Sequence, residues 1–257
     1  MMDNVARTLS EARKKQGKRK QAVQVVLLIG LVGLFFSLLF KNRWPKPTEI
    51  RPECLQEPVQ TQEDVPESFI DEAKGYRYEV LPLFNYELWG MVVSSHYAGS
   101  ITDFAHEAWK DYLNIKDLCV IFGRNLETDA FRYINFRSRD FTCYYSYTDP
   151  DVGELFSASH ISNNHLITSD RVLVRAIKRA RRGDQVRIKG WLVNYRHEGS
   201  RTGRSTSTAR TDTGDHACEV VYVTEFEILK KANPEWRAAF PLSILLIAGS
   251  VLALFLI

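Results

Sequence analysis

Hydrophobic positions along the chain follow two regimes. From Ala22 to Phe40 nearly every residue is apolar, interrupted by Gln24, Gly30, Gly33 and Ser37, and Phe240 to Ile257 contains no charge at all. At about 1.5 Å per residue, runs of this length approach or reach a hydrocarbon core of roughly 30 Å, so residues 22–40 and 240–257 are predicted as transmembrane helices. Between them the pattern alternates. In residues 181–231, Gly183-Asp184 marks a turn, and Val186, Ile188, Trp191 and Val193 follow with a rough period of two among polar neighbours. That spacing predicts a half-buried strand, and Glu219 to Leu229 predicts a second, so the pair forms a β-ribbon around a polar insert, His197 to His216.

Other segments fill out the domain. Tyr76 to His96 predicts two strands bent at Pro82, with Gly90 at a bulge or a close approach. Leu118–Phe122, Ala130–Phe136 and Phe141–Tyr147 are strand-like, and Asp149-Pro150 is a turn. Thr102 or Asp103 is expected to cap a helix whose face is Phe104, Ala108, Trp109 and Tyr112. Asp170 is expected to cap a second helix, 171–182, with Val172, Val174, Ala176 and Ile177 inward and a cationic C-terminus favoured by the helix dipole. FSASHISNNHLITSD, before that helix, reads as a polar loop. Residues 41–68, with Pro45, Pro47, Pro52, Pro58 and Pro66, read as an extended linker. The expected fold is α+β: a domain over 69–232 with a barrel-like antiparallel β core and two or three helices, flanked by the two membrane helices.

The run GDQVRIKGWLVNY, followed by a β-rich closing strand and EFEILKKA, resembles the latter part of small OB-type barrels. The resemblance covers about fifty residues. It implies a barrel of the kind that binds oligonucleotides or oligosaccharides. This chain departs from a nucleic-acid binder in lacking a row of exposed aromatics interleaved with Lys and Arg. The combination of SNNHLI, GDQVRIKGWLVNY and RTDTGDHACE is also similar to bacterial membrane-anchored proteins, a similarity that supplies no activity.

Charge sets the expected orientation. Arg13, Lys14, Lys15, Lys18, Arg19 and Lys20 precede the first apolar run, against sparser cations after it, so residues 1–21 are expected in the cytoplasm and the domain outside it, at a bacterial inner membrane. The first run ends in Lys41, Asn42, Arg43 and Trp44 rather than a small-residue cleavage site, which favours an uncleaved anchor over a signal peptide. A net charge of +3 is too small to imply a polyanionic partner, so nucleic acid is not the expected ligand. Four cysteines in an oxidising compartment invite pairing, with Cys119 and Cys143 the first pair and Cys54 and Cys218 a weaker one; buried free thiols are the alternative.

Three constellations carry candidate chemistry. His96, His106, His160 and His165, with Asp103 one turn before His106, would need to converge to hold a metal; no metal and no cofactor is expected from their spacing. Asn163, Asn164 and His165 in SNNHLI could orient a polar ligand. Ser162 with His165 and Asp212 is the nucleophile, base and acid of an alternative membrane-tethered hydrolase, although no GxSxG elbow is present. In the insert, Arg201, Arg204 and Arg210 lie among hydroxyls without a phosphate-loop spacing. The expected ligand or partner surface joins Asn163, Asn164 and His165 to Arg210, Asp212 and Thr213. With two anchors and no recognisable catalytic set, the leading expectation is a binding or assembly module of a membrane complex, with lipid around its helices and a protein as its partner.

Overall fold

The computed structural model describes residues 2–100, 103–139, 141–209, 212 and 217–257, which form two units, Met1–Arg43 with Asn233–Ile257, and Trp44–Ala232. Arg210 and Thr213 therefore lie outside the described residues. In chain order the elements are α1 (Met2–Phe40), β1 (Val59–Thr61), β2 (Phe69–Ala73), β3 (Tyr76–Tyr97), α2 (Phe104–Ala108), β4 (Asn114–Ile121), α3 (Arg124–Glu127), β5 (Asn135–Arg139) and β6 (Thr142–Ser146). They continue with α4 (Pro150–Leu155), β7 (Ile161–Ile167), α5 (Arg171–Arg179), β8 (Gln185–His197), β9 (Cys218–Lys230) and α6 (Pro234–Leu256).

The first unit is a pair of antiparallel helices, each long and apolar enough to cross a membrane. The basic segment and the apolar run form one continuous helix, α1. Gly30 and Gly33 make the close approach: a Cβ on Gly30 would lie 2.9 Å from Ile247 Cγ1, and one on Gly33 would lie 2.6 Å from Ser243 Oγ. On α6 the buried small residues are Ser243 and Ser250, whereas Gly249 faces open space. Large apolar side chains such as Leu28, Phe35, Leu245 and Leu252 point outward, which suits lipid and not water.

In the second unit, β3, β4, β7, β9 and β8 pair in that order and β8 returns to β3, so the five strands close into a ring. Every pairing in it is antiparallel except β7 with β9, which is parallel, so the expected antiparallel core is mixed. The ribbon of β8 and β9 forms where the alternation placed it. One face of the alternation fills the ring: Tyr86, Leu88 and Val92 of β3 meet Leu118 and Val120 of β4, Leu166 of β7, Val186 and Ile188 of β8, and Val221 and Val223 of β9. Asp170 caps α5 by accepting from the Val172 and Leu173 amides at 2.6 and 3.0 Å, and the helix seats Ile177 in that core. Burying one such side chain contributes about 1.5–3 kcal/mol. Val172, expected inward, is 70% exposed.

Several expectations need correction. Tyr76–Tyr97 is one strand of 22 residues. A register shift between Pro82 and Phe84 absorbs the missing proline N–H, so the strand bends without ending. Gly90 permits close approach, since a Cβ there would fall 2.5 Å from Val120 Cγ1 and 2.6 Å from Ile121 O. Ala130–Tyr133 is a 3-10 turn, with β5 starting at Asn135, and Asp149-Pro150 opens α4, the aspartate accepting from the Asp151 amide. α2 stops at Ala108, leaving Trp109 beyond it and 60% exposed. The proline-rich segment is not a linker. Its prolines start 3-10 turns at Pro47 and Pro52, Cys54 is fully buried and its carbonyl accepts from the Gly123 amide at 2.9 Å, and β1 pairs with β3.

A disulfide joins Cys119 and Cys143, with 5.8 Å between Cα atoms, while Cys54 and Cys218 are free thiols. It does not cross one hairpin: Cys119 lies on β4 and Cys143 on β6, a strand of the separate two-stranded sheet β5–β6, so the bond ties that ribbon to the ring. Closing a loop across a separation of 24 residues is worth about 3 kcal/mol in the unfolded chain. Cys143→Ser is expected to lower stability by about that amount, and peptide mapping without reductant is expected to recover the 119–143 cross-link with both other cysteines alkylated. Free Cys119 in the non-reduced map would contradict the pairing.

Candidate functional site

SNNHLI lies in β7, an interior strand held between β4 and β9, and each of its buried polar side chains finds a hydrogen-bond partner. Ser162 Oγ donates to Glu219 Oε2 at 2.7 Å. Asn163 donates to Phe141 O at 2.9 Å, and Asn164 accepts from the Tyr86 hydroxyl at 3.4 Å. His165 Nδ1 donates to Asp117 Oδ1 at 2.7 Å, with both side chains 1% exposed. Alternation along β7 sends Asn164 and Leu166 toward the ring core and Asn163 and His165 to its other face.

From His165 a buried polar chain runs in two directions. On one side Asn114 Nδ2 donates to Asp117 Oδ1 and to His106 Nε2, each at 2.9 Å. An amide N–H only donates, so His106 Nε2 is bare and its proton sits on Nδ1, which donates to Asp103 Oδ2 at 2.6 Å. His96 Nε2 reaches the same oxygen at 2.7 Å. Burial pushes the Asp103 carboxyl up, but the His106 amide and the two imidazoles hold it below its ordinary value. On the other side Arg204 donates to His165 Nε2 and to Asp111 Oδ2, both at 3.2 Å, and the Tyr195 hydroxyl donates to Asp111 Oδ1 at 2.6 Å. Burial and the Asp111 charge push the Tyr195 phenol well above its usual range, so it stays a donor.

The pair at the centre is strongly coupled. Burial disfavours a charged His165, yet the Asp117 carboxylate outweighs it and raises the imidazole to about 9, with Arg204 pulling the other way. Burial likewise opposes the Asp117 charge, and His165 and Asn114 bring that carboxyl down to about 2. The Arg204 contact needs a bare Nε2 and so belongs to the neutral imidazole. The direction is set by the carboxylate, which is closer and unopposed on its own side of the ring.

Arg204 also forms the floor of a cleft of about 590 Å³ between the β3–β4 and β8–β9 connections. Trp109, Lys110 and Asp111 line one side, and Tyr195, Arg196, His197 and Thr202 the other. Trp109 stacks on Phe141 with centroids 5.3 Å apart, and the Arg204 guanidinium lies 4.2 Å from the same ring. The insert is pinned here rather than solvated throughout: Arg204 and Tyr195 exchange backbone hydrogen bonds at 2.8 and 2.9 Å, and the Thr206 hydroxyl accepts from the Val220 amide at 3.0 Å.

The sequence-derived site divides. Asp212 accepts a short hydrogen bond from Ser207 Oγ, and shares with Asn163 a cavity of about 120 Å³, below the roughly 300 Å³ of a small-molecule pocket. Ser162, His165 and Asp212 have three different partners, Glu219, Asp117 and Ser207, so they are not arranged as nucleophile, base and orienting acid. His160 belongs to another place, 2.7 Å from Glu57. Asp117, Asp111, Tyr195 and exposed Trp109 were missed. One signal was available: Asp117 sits in NIKDLCVI, and a carboxylate within a buried strand needs a partner elsewhere. No family model, curated protein or solved structure matches the chain.

Proposed function

We propose that this chain is a membrane-anchored binding module, extracytoplasmic in a bacterial inner-membrane complex, that receives a partner in the cleft floored by Arg204. The observation that carries the reading is the cleft: about 590 Å³, bordered by a Trp109 that is 60% exposed although it stacks on Phe141. Large aromatic surface costs solvation when left in water, and Trp beside Arg is the composition of interface anchors. Behind it Asp111 accepts from both Tyr195 and Arg204, which holds the floor of the cleft in place.

Ring order supports an OB-like reading. Taken as strands one to five, β3, β4, β7, β8 and β9 run 1-2-3-5-4 and close on 1, with the third and fifth parallel and α5 between the third and fourth. In OB domains the connections from strand one to two and four to five border the ligand, and those two connections border this cleft. The disulfide supports an oxidising compartment, as the cations before the first span support a cytoplasmic N-terminus.

A photoreactive amino acid at position 109, in the full-length protein in cells, is expected to capture one discrete adduct, while the same group at Tyr133, 72% exposed outside the cleft, is not. Equal labelling at both positions, or an uncross-linked monomer at both, overturns the reading.

A further inference from the structure

We propose that His96, Asp103 and His106 form a binding site for one divalent ion of the zinc type, completed by water from an adjoining cavity. This goes beyond the Arg204 cleft and does not depend on it. The end of β3 supplies His96, the chain returns through Asp103, and α2 supplies His106. One ligand atom from each lies within 4.8 Å of the other two. Nitrogen from two imidazoles with oxygen from a carboxylate is a three-ligand set that suits zinc, whereas magnesium and calcium select oxygen alone.

Charge gives an independent reason. The Asp103 side chain is 0% exposed and that of His106 2%, and a carboxylate so far from water needs positive charge beside it. In the arrangement present, His106 is the neutral Nδ1–H tautomer, because Asn114 donates to its Nε2. With His106 neutral, the positive charge at Asp103 Oδ2 comes either from His96, 2.7 Å away, or from a bound cation that takes the place of the protons there.

The geometry needs a small adjustment. Bonds of about 2.0–2.1 Å place neighbouring ligand atoms roughly 3.3 Å apart in a tetrahedron. The two imidazole nitrogens now lie 2.7 and 2.6 Å from Asp103 Oδ2, so they spread by less than the width of an atom as the ion replaces the hydrogen-bonded protons. When Nδ1 of His106 binds the ion, its proton moves to Nε2 and needs an acceptor. Two groups can supply it after a local shift. Asp111 Oδ2, 4.0 Å from Nε2, does so by moving closer. Asn114, which now presents Nδ2 to Nε2, does so by turning its amide over to offer Oδ1, unpartnered among the described residues, and giving up its bond to Asp117. An outer acceptor on the second imidazole nitrogen is the usual support of a metal-bound histidine.

Access is also present. A cavity of about 300 Å³ is lined by Asp103 and His106 together with Tyr76, Glu107, Tyr112 and Lys74. It has room for the water of a fourth position; Lys74 opposes the added charge and Glu107 offsets it.

Full-length protein in detergent, stripped with chelator, is to be titrated calorimetrically with Zn²⁺ and followed by visible absorption with Co²⁺. One equivalent per chain is expected, with a four-coordinate cobalt spectrum displaced by zinc. Asp103→Asn and His96→Gln are each expected to weaken zinc by more than the roughly 10–100-fold typical of outer partners, and Asn114→Ala by about 10-fold. His96, with its side chain 15% exposed at the margin, keeps the test valid if the Asp103 variant fails to fold. Absence of a stoichiometric site in the wild type, or zinc binding unchanged in His96→Gln, overturns the proposal. Since neither readout involves position 109, failure here leaves the cleft reading standing, and the reverse holds.

Discussion

Asp117→Ala is expected to lower the unfolding free energy by about 3–5 kcal/mol, because it strands a buried imidazole and the Asn114 amide that both donate to the lost oxygen. Chemical denaturation of the full-length protein in detergent measures it. The pH dependence tests the same pair. His165 is raised from 6.5 to about 9, so its attraction to Asp117 is fully present below pH 6.5 and is lost as pH rises through about 9. Asp117 is lowered from 3.8 to about 2, so its contribution is present above pH 3.8 and is lost as pH falls through about 2. Buried Lys116, lowered to about 8, acts in the opposite sense above that pH, so the informative window is pH 6.5 to 8. Melting temperature is expected to fall across that window in the wild type and to stay level in Asp117→Ala. The same slope in both proteins would assign it to other groups.

The second large effect is at Gly190 in β8. A Cβ there would lie 2.0 Å from Tyr222 O and 3.1 Å from Val223 Cα, both backbone atoms of β9 that cannot turn aside. Overpacking a core typically costs about 1–3 kcal/mol, and a backbone collision that cannot relax costs more. Gly190→Val is therefore expected to open the ring and yield insoluble protein. Gly199→Ala is the control: it meets nothing within 4 Å but holds φ at +82°, so only the left-handed backbone resists, at roughly 1–2 kcal/mol. Soluble Gly190→Val melting near the wild type would mean that β8 and β9 do not close at this point.

The two polar segments separate what was legible from what was not. Asn164 and His165 in β7 were singled out for their chemistry; both are buried, but on opposite faces, His165 in the polar network with Asp117 and Asn164 against Tyr86 in the ring core. Their strand was unreadable because polar residues at both alternating positions erase the period-two signal. The insert was readable as polar and irregular, but Arg204 was one arginine among several until its backbone paired with Tyr195. Asp111 and Trp109 gave even less signal, since a helix end that stops at Ala108 cannot be told from one that continues to Leu113 by periodicity alone.

By itself the sequence determined the two apolar terminal helices, the β8–β9 ribbon, and α5 with its aspartate cap. Each depends on neighbours within one turn or one strand, where hydrophobic period and capping chemistry act directly. Only the tertiary structure decided that β8 returns to β3, that a proline-rich stretch packs as part of the domain, and that Asp117 faces His165 48 residues away. Those outcomes depend on which distant groups satisfy a buried hydrogen bond or fill a core. That choice is made by the summed energy of the closed ring, and no local spacing encodes it.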